Sequence, residues 1–278
     1  MGHVLLWQSE FMMIINNKPY ISRFLHATLI ATALLLGGCA SSNGPPGEGD
    51  PLESYNRAMY KFNDAVDRTI ARPVAQAYKD NVPQPAQTGI SNFFSNLDDV
   101  WVMVNNLLQL KFTDAASDFS RVVWNSTLGL FGLIDVATPM GLPKNNEDFG
   151  QTLGSWGVGE GPYIVLPFLG PSTLRDTGGL VVDWEYEPLQ AIEDDEVYWS
   201  AVVLRAIDTR ASLLGASRML EESGADPYTF MRDAYLQHRR NLVYDGNPPR
   251  EERPQFAPSE EDRALERELE MELERELQ

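Results

Sequence analysis

Much catalysis runs on thiols, imidazoles or positioned carboxylates, and this 278-residue chain is short of the first two. It has one cysteine, Cys39, and three histidines, of which only His238 lies beyond residue 26. One cysteine leaves no disulfide framework and no Cys-rich metal site, and so few histidines leave little for zinc chemistry. There is no G-x-S-x-G elbow and no Walker loop. His238, in Tyr235-Leu-Gln-His-Arg-Arg240, reads as a solvated helix residue. Carboxylates are plentiful, which leaves two-carboxylate hydrolysis formally open. The pairs Asp98-Asp99 and Asp194-Asp195 are adjacent, however, and neighbours on a helix point in different directions. Gly157, Gly159 and Gly161 lack the G-x-G-x-x-G frame, and Pro162 and Pro167 deny them a following helix. No catalytic residue, metal ligand or cofactor site is assigned. A net charge of −18 and a pI near 4.5 argue against a nucleic-acid partner.

Cys39 is the exception, and its chemistry is acylation. Lys18 and Arg23 precede the apolar run 24–36, followed by Gly37-Gly38-Cys39-Ala40. A positive region, a short apolar stretch and small residues at the cut make a secretory signal. The run is shorter than the roughly 20 residues a helix needs to span a bilayer. Leu36-Gly37-Gly38-Cys39 resembles the lipobox of bacterial lipoproteins, in which cleavage follows Gly38 and Cys39 carries the acyl chains. Several acyl chains anchor a protein firmly. Ala40, in place of Asp, favours sorting to the outer membrane. The start codon could be Met1, Met12 or Met13. Cleavage would leave a mature chain one unit more negative, with His238 as its sole histidine.

The elements that must position anything further are helical. Residues 39–51, rich in Gly, Pro and Ser, form a tether. Tyr55, Met59, Phe62, Val66 and Ile70 then recur at helical spacing, a helix ended by Pro73. A second helix, about 91–110, is apolar on more than one face, which suits either a core or contact with lipid. Thr113-Asp114 reads as the cap of a third, carrying Phe119, Val122, Val123 and Trp124. Residues 128–143 have one charge, Asp135, and repeated Gly and Pro. An apolar loop of this kind suggests lipid or a buried channel around it, or a buried connector. Tyr163–Leu166 is a short extended piece with no obvious partner, so no sheet is expected. Helices follow at about 196–222 and from Asp226-Pro227 to Leu242. The segment 245–278 is an acidic tail, solvated and partly helical, in which like charges stack four residues apart.

Several segments in unbroken order over about residues 50–245 resemble the MlaA (VacJ) family of outer-membrane lipoproteins. They include Asp50-Pro-Leu-Glu-Ser-Tyr-Asn-Arg-Ala-Met-Tyr-Lys-Phe-Asn63, Arg72-Pro-Val-Ala75, Val82-Pro-Gln-Pro-Ala86 and Gly132-Leu-Ile-Asp-Val-Ala137. Phe149-Gly-Gln-Thr-Leu-Gly154, Gly157-Val-Gly-x-Gly-Pro-Tyr163, Thr173-Leu-Arg-Asp176 and Asp226-Pro-Tyr228 continue the series. The resemblance implies an all-α domain over 52–244, a ring of amphipathic helices embedded in one membrane leaflet around an amphipathic channel. It implies removal of mislocalised phospholipid from the outer leaflet, hand-over to a soluble periplasmic carrier, and association with trimeric porins. Residues 129–142 match the family's hairpin loop, which makes Gly129 and Gly132 the candidate hinge. The competing readings are a scaffolding lipoprotein that organises porins or envelope contacts without carrying lipid, and an envelope hydrolase.

Overall fold

A computed structural model describes residues 50–222 and 226–249; the signal segment, Cys39, most of the tether and nearly all of the acidic tail lie outside the described residues. The body to Gly246 is helical: α1 (Glu53–Val66), α2 (Arg72–Asn81), α3 (Gln84–Leu108), α4 (Phe112–Thr127), α5 (Phe149–Ser155), α6 (Leu174–Tyr186), α7 (Asp195–Ser212), α8 (Leu214–Glu222) and α9 (Pro227–Val243). A short hairpin, β1 (Tyr163–Leu166) and β2 (Gly170–Thr173), enters α6. The all-α expectation holds. Among the described residues no helix is long and apolar enough to cross a membrane.

Pro73 does not end the first helix. Residues Asp67–Ala71 form a π turn between α1 and α2, with the Arg72 N–H donating to Asp67 O. A wider turn takes Pro73, which has no N–H to donate, at the start of the next α segment without a break. Arg210 on α7 clamps the turn, with Nε and Nη2 at 2.6 and 2.9 Å from the two Asp67 carboxylate oxygens. The expected Thr113-Asp114 cap is also displaced: α4 starts at Phe112, after Lys111, without a side-chain cap. The single helix expected over 196–222 is two, broken at Leu213.

The hairpin corrects the expectation of no sheet. Tyr163 pairs with Thr173 and Leu166 with Gly170, and the other edge of β1 is covered by side chains rather than a strand. Asn56 Nδ2 donates to Tyr163 O at 3.0 Å and its Oδ1 accepts from Val165 N at 2.8 Å. Asn63, seven residues on along α1, does the same for Leu166 O and Phe168 N at 2.9 and 2.8 Å. Two amides on one helix face thus act as the missing neighbour strand. Val165, Tyr163 and Tyr228 close beneath them as one of three small apolar clusters. The others join α2 to α7 and α8 through Ala75, Ala211 and Leu214, and α3 to α7 through Phe94, Leu189 and Tyr198.

Asn56 is fully buried. Replacing it by Ala leaves a β1 N–H and C=O without partners, so Asn56→Ala should lower unfolding free energy by about 1–3 kcal/mol. Chemical denaturation of the two chains side by side checks this.

Candidate functional site

The α3–α4 pair is turned inside out. α3 buries Asn96, Asp99, Asn105 and Asn106 beside Phe94 and Val102, and α4 buries Asp118, Arg121 and Asn125 beside Ala115, the α4 trio at spacings of three and four that define one helix face. The opposite face of α4 exposes Phe112, Phe119, Val123 and Trp124, and Leu107, Leu108 and Leu110 stand exposed at the end of α3. In the described residues as a whole, buried polar and charged side chains outnumber buried apolar ones.

Arg121 organises the seam. Its guanidinium is 2% exposed, and Nε donates to Asp99 Oδ2 at 3.1 Å. Nη1 donates to Leu142 O at 2.8 Å and Thr138 Oγ1 at 3.0 Å, and Nη2 lies 3.5 Å from Asp135. Lys144 closes on the second oxygen of Asp99 and also donates to Ser95 O at 2.9 Å. Asn125 Oδ1 accepts from Val136 N and Ala137 N at 2.8 and 3.0 Å, while its Nδ2 donates to Asp135. Asn106 and Asn145 both donate to Asp118. The loop 128–145 is therefore hung by its backbone from the buried polar face. Burial would raise Asp135, but bonds from Thr138 and Asn125 and the charge of Arg121 outweigh it and hold the carboxyl below its ordinary range.

What the loop turns outward is apolar: Leu128, Leu130, Phe131, Leu133, Ile134 and Met140 are exposed. Gly129 and Gly132 are both positions without room for a side chain. A Cβ at Gly129 would collide with the carbonyls of Ile134 and Asn125, and one at Gly132 would sit 2.7 Å from Asn96 Nδ2. Leu130, Phe131 and Gly132 run through the left-handed region with φ of 52°, 58° and 89°. Each such non-glycine residue costs of order 1–3 kcal/mol unless its surroundings hold it. Here Gly132 N→Asn125 O and Ile134 N→Gly129 O, both 2.8 Å, do so.

Two cavities adjoin behind the loop and share Asn146, Glu147, Gln151 and Leu242. One, about 420 Å³, is polar and reaches Asn106, Lys111 and Lys144. The other, about 480 Å³, mixes Trp101, Trp184 and Leu180 with Asp98, Asp183 and Arg205. Asp183 Oδ1 accepts from Trp101 Nε1 at 2.7 Å and Phe149 N at 2.8 Å. Burial, against those two bonds, pushes its carboxyl up to about 6. Arg205 bridges Glu187 and Asp98. Beside the cavities, Arg239 on α9 ties the α5 cap Asp148 to Asp176 on α6, with Asp176 also taking Arg175 and Tyr235. Gly150 lies against this cluster, where a Cβ would stand 2.7 Å from Arg239 Nη2.

The family model for the MlaA lipoprotein matches residues 48–242, most of the chain. The chain belongs to the MlaA lipoprotein family. It is similar to the intermembrane phospholipid transport system lipoprotein MlaA of Escherichia coli strain K12, 42% identical over 239 residues, 83% of this chain and 92% of that protein. The protein of the same description in Haemophilus influenzae is 35% identical over 229 residues, 79% of this chain and 90% of its own length. A structure solved for the structural basis of maintenance of bacterial outer membrane lipid asymmetry superposes with a TM-score of 0.63 at 41% identity, covering 72% of this chain and all of that one.

Against this MlaA background, the residues that could do chemistry separate. Asp98 and Asp99 part company, to Arg205 and to Arg121 with Lys144. Asp194 caps α7 through Val197 N. His238 is exposed. Asn125, the first residue of the sequon Asn125-Ser126-Thr127, is 3% exposed and committed to the loop backbone. Among the described residues no group of acids and histidines could hold a metal ion. Arg121 and Asp183 went unremarked in the sequence, and Asn125 stood out only as part of a sequon, although polar residues at 118, 121 and 125 recur at helical spacing.

Arg121→Met leaves Asp99 buried beside Lys144 alone, and should cost about 3–5 kcal/mol in unfolding free energy. Asp183 carries the opposite pH signature to a paired acid. Its folded value lies above the ordinary value of 3.8, so its contribution is present below about pH 4 and lost as pH rises through about 6. Melting curves at pH 4 and pH 7 should show Asp183→Asn cancelling part of that loss.

Proposed function

We propose that this chain is the lipoprotein component of an intermembrane phospholipid transport system and maintains outer-membrane lipid asymmetry. Anchored through acylated Cys39 at the periplasmic face of the outer membrane, it removes mislocalised phospholipid from the outer leaflet. Lipid passes through the amphipathic cavities without bond cleavage and leaves on a soluble periplasmic carrier, with trimeric porins as neighbours. Gly129 and Gly132 act as the hinge of the apolar loop beside that route.

The observation that carries this reading is the inversion of α3 and α4. In water, rotating α4 by half a turn would bury the exposed parts of Phe119, Val123 and Trp124, roughly half of the 1.5–3 kcal/mol that fully burying such a side chain brings. The same rotation would hydrate Arg121 and Asp118, whose burial costs several kcal/mol per ion before pairing. Both terms favour the rotated helix in water, and both reverse when the surroundings are acyl chains. A body seated in one leaflet meets that condition without a spanning helix.

The test is outer-leaflet phospholipid in cells lacking the gene, read through an outer-membrane acyltransferase or phospholipase that acts on lipid exposed there. Its product should rise several-fold, and the intact gene should reverse the rise. Cys39→Ala should fail to restore it. An unchanged product level at normal expression of the remaining envelope proteins would remove the transport reading.

A further inference from the structure

The wall shared by the two cavities carries an unmet acceptor. Gln151 is 2% exposed, and its Nε2 donates to Asn146 O at 3.0 Å and Asp148 Oδ2 at 3.2 Å. Those bonds fix the amide's orientation, and Oε1 is left without a partner. Asn106, 1% exposed at the edge of the polar cavity, repeats the arrangement: Nδ2 donates to Asp118 at 2.7 Å and Oδ1 has no partner. Turning either amide over would set oxygen against oxygen and discard the bonds it makes. Buried acceptors without donors are uncommon in folded proteins, and among the described residues Asn106 and Gln151 are two such residues that line a cavity.

The second cavity is short of positive charge in the same way. Arg205 is committed to Asp98 and Glu187, and Asp148 to Arg239. Among the described residues Asp183 takes only neutral N–H donors, both on Oδ1, and no cation lies within ion-pair distance of it. Burial raises Asp98 and Glu147 as well as Asp183. Two indoles, Trp101 and Trp184, line this cavity, and an indole face attracts cations. Lys111 and Lys144 line the neighbouring polar cavity, Lys111 paired with Glu147 and Asp245 and Lys144 with Asp99.

Resting on the phospholipid-transport reading, we infer that these cavities favour a headgroup bearing a primary ammonium, as in phosphatidylethanolamine, held by Asp183, the Gln151 carbonyl and the indoles of Trp101 and Trp184. An anionic phosphoglycerol headgroup brings no cation to the Asp183 carboxylate. A trimethylated ammonium offers charge but no N–H for the Gln151 oxygen. The expected order is ethanolamine, then choline, then glycerol headgroups.

The full-length acylated protein, incubated with mixed micelles holding equal amounts of the three phospholipids and then washed, is assayed for retained lipid by mass spectrometry. The ethanolamine lipid should exceed the glycerol lipid by about fivefold relative to input, the scale of one charge-assisted contact in a partly wet site. Asp183→Asn should pull that ratio toward the input value. Trp184→Leu, at a half-exposed side chain that the fold tolerates, should do the same and decides the matter if the first variant is misfolded. Lipid retained in its input ratio, glycerol lipid retained preferentially, or a wild-type ratio in folded variants would overturn the inference. Retention of no lipid from any mixture strikes instead at the transport reading beneath it.

Discussion

The ion pair of Arg121 and Asp99, buried between α3 and α4 with Lys144 at its edge, is the constraint on which the rest of the body depends. A guanidinium and a carboxylate at this depth are tolerable only when every donor and lone pair is used. Arg121 meets that demand by reaching past Asp99 to Thr138, Leu142 and Asp135, so satisfying one side chain fixes the course of a loop. That loop has no apolar core of its own. Its backbone is tied to Asn125 and Arg121, which frees its apolar side chains to face outward. The same seam places Asn106 and Lys144 at the polar cavity.

Polarity is thus distributed in an order opposite to that of a water-soluble helical protein. Charges and amides fill the seams, small apolar clusters pin helix crossings, and large apolar side chains stand outside. Such an arrangement suits a molecule that handles amphiphiles in acyl surroundings, with apolar side chains outside and open cavities lined by charged and amide side chains. No step of this kind needs a thiol or an imidazole, and the sequence holds one cysteine and three histidines.

Fold class was legible because helical periodicity survives the inversion: a stripe remains a stripe whichever way it faces. The apolar loop around Asp135 was legible as an anomaly for the same reason, since apolar residues with repeated Gly and Pro fit neither a core helix nor a solvated turn. Which face pointed inward was not legible, because periodicity alone carries no sign. The hairpin escaped notice because half of its ladder is supplied by Asn56 and Asn63, ordinary polar residues on a helix. The π turn escaped because Pro73 normally marks an end, and what carries the chain across it is Arg210, far away in sequence. Gly129 and Gly132 stood out in the sequence as a hinge only through the family resemblance, whereas the carbonyls and the Asn96 side chain that exclude a Cβ there come from the tertiary packing.

The direction in which α4 faces is the central claim, and spin labelling tests it most directly. Nitroxides would be placed singly through Phe119→Cys and Val123→Cys on the outer face, and through Asp114→Cys as an exposed polar reference near the start of the helix. Each acylated chain would be reconstituted in bilayers. Collision rates with oxygen, which concentrates in acyl chains, would then be compared with those for a water-soluble nickel chelate. The account predicts oxygen-dominated relaxation at 119 and 123 and a shift toward the chelate at 114. Chelate-dominated relaxation at 119 and 123 would mean that the apolar face of α4 meets water, and would contradict it.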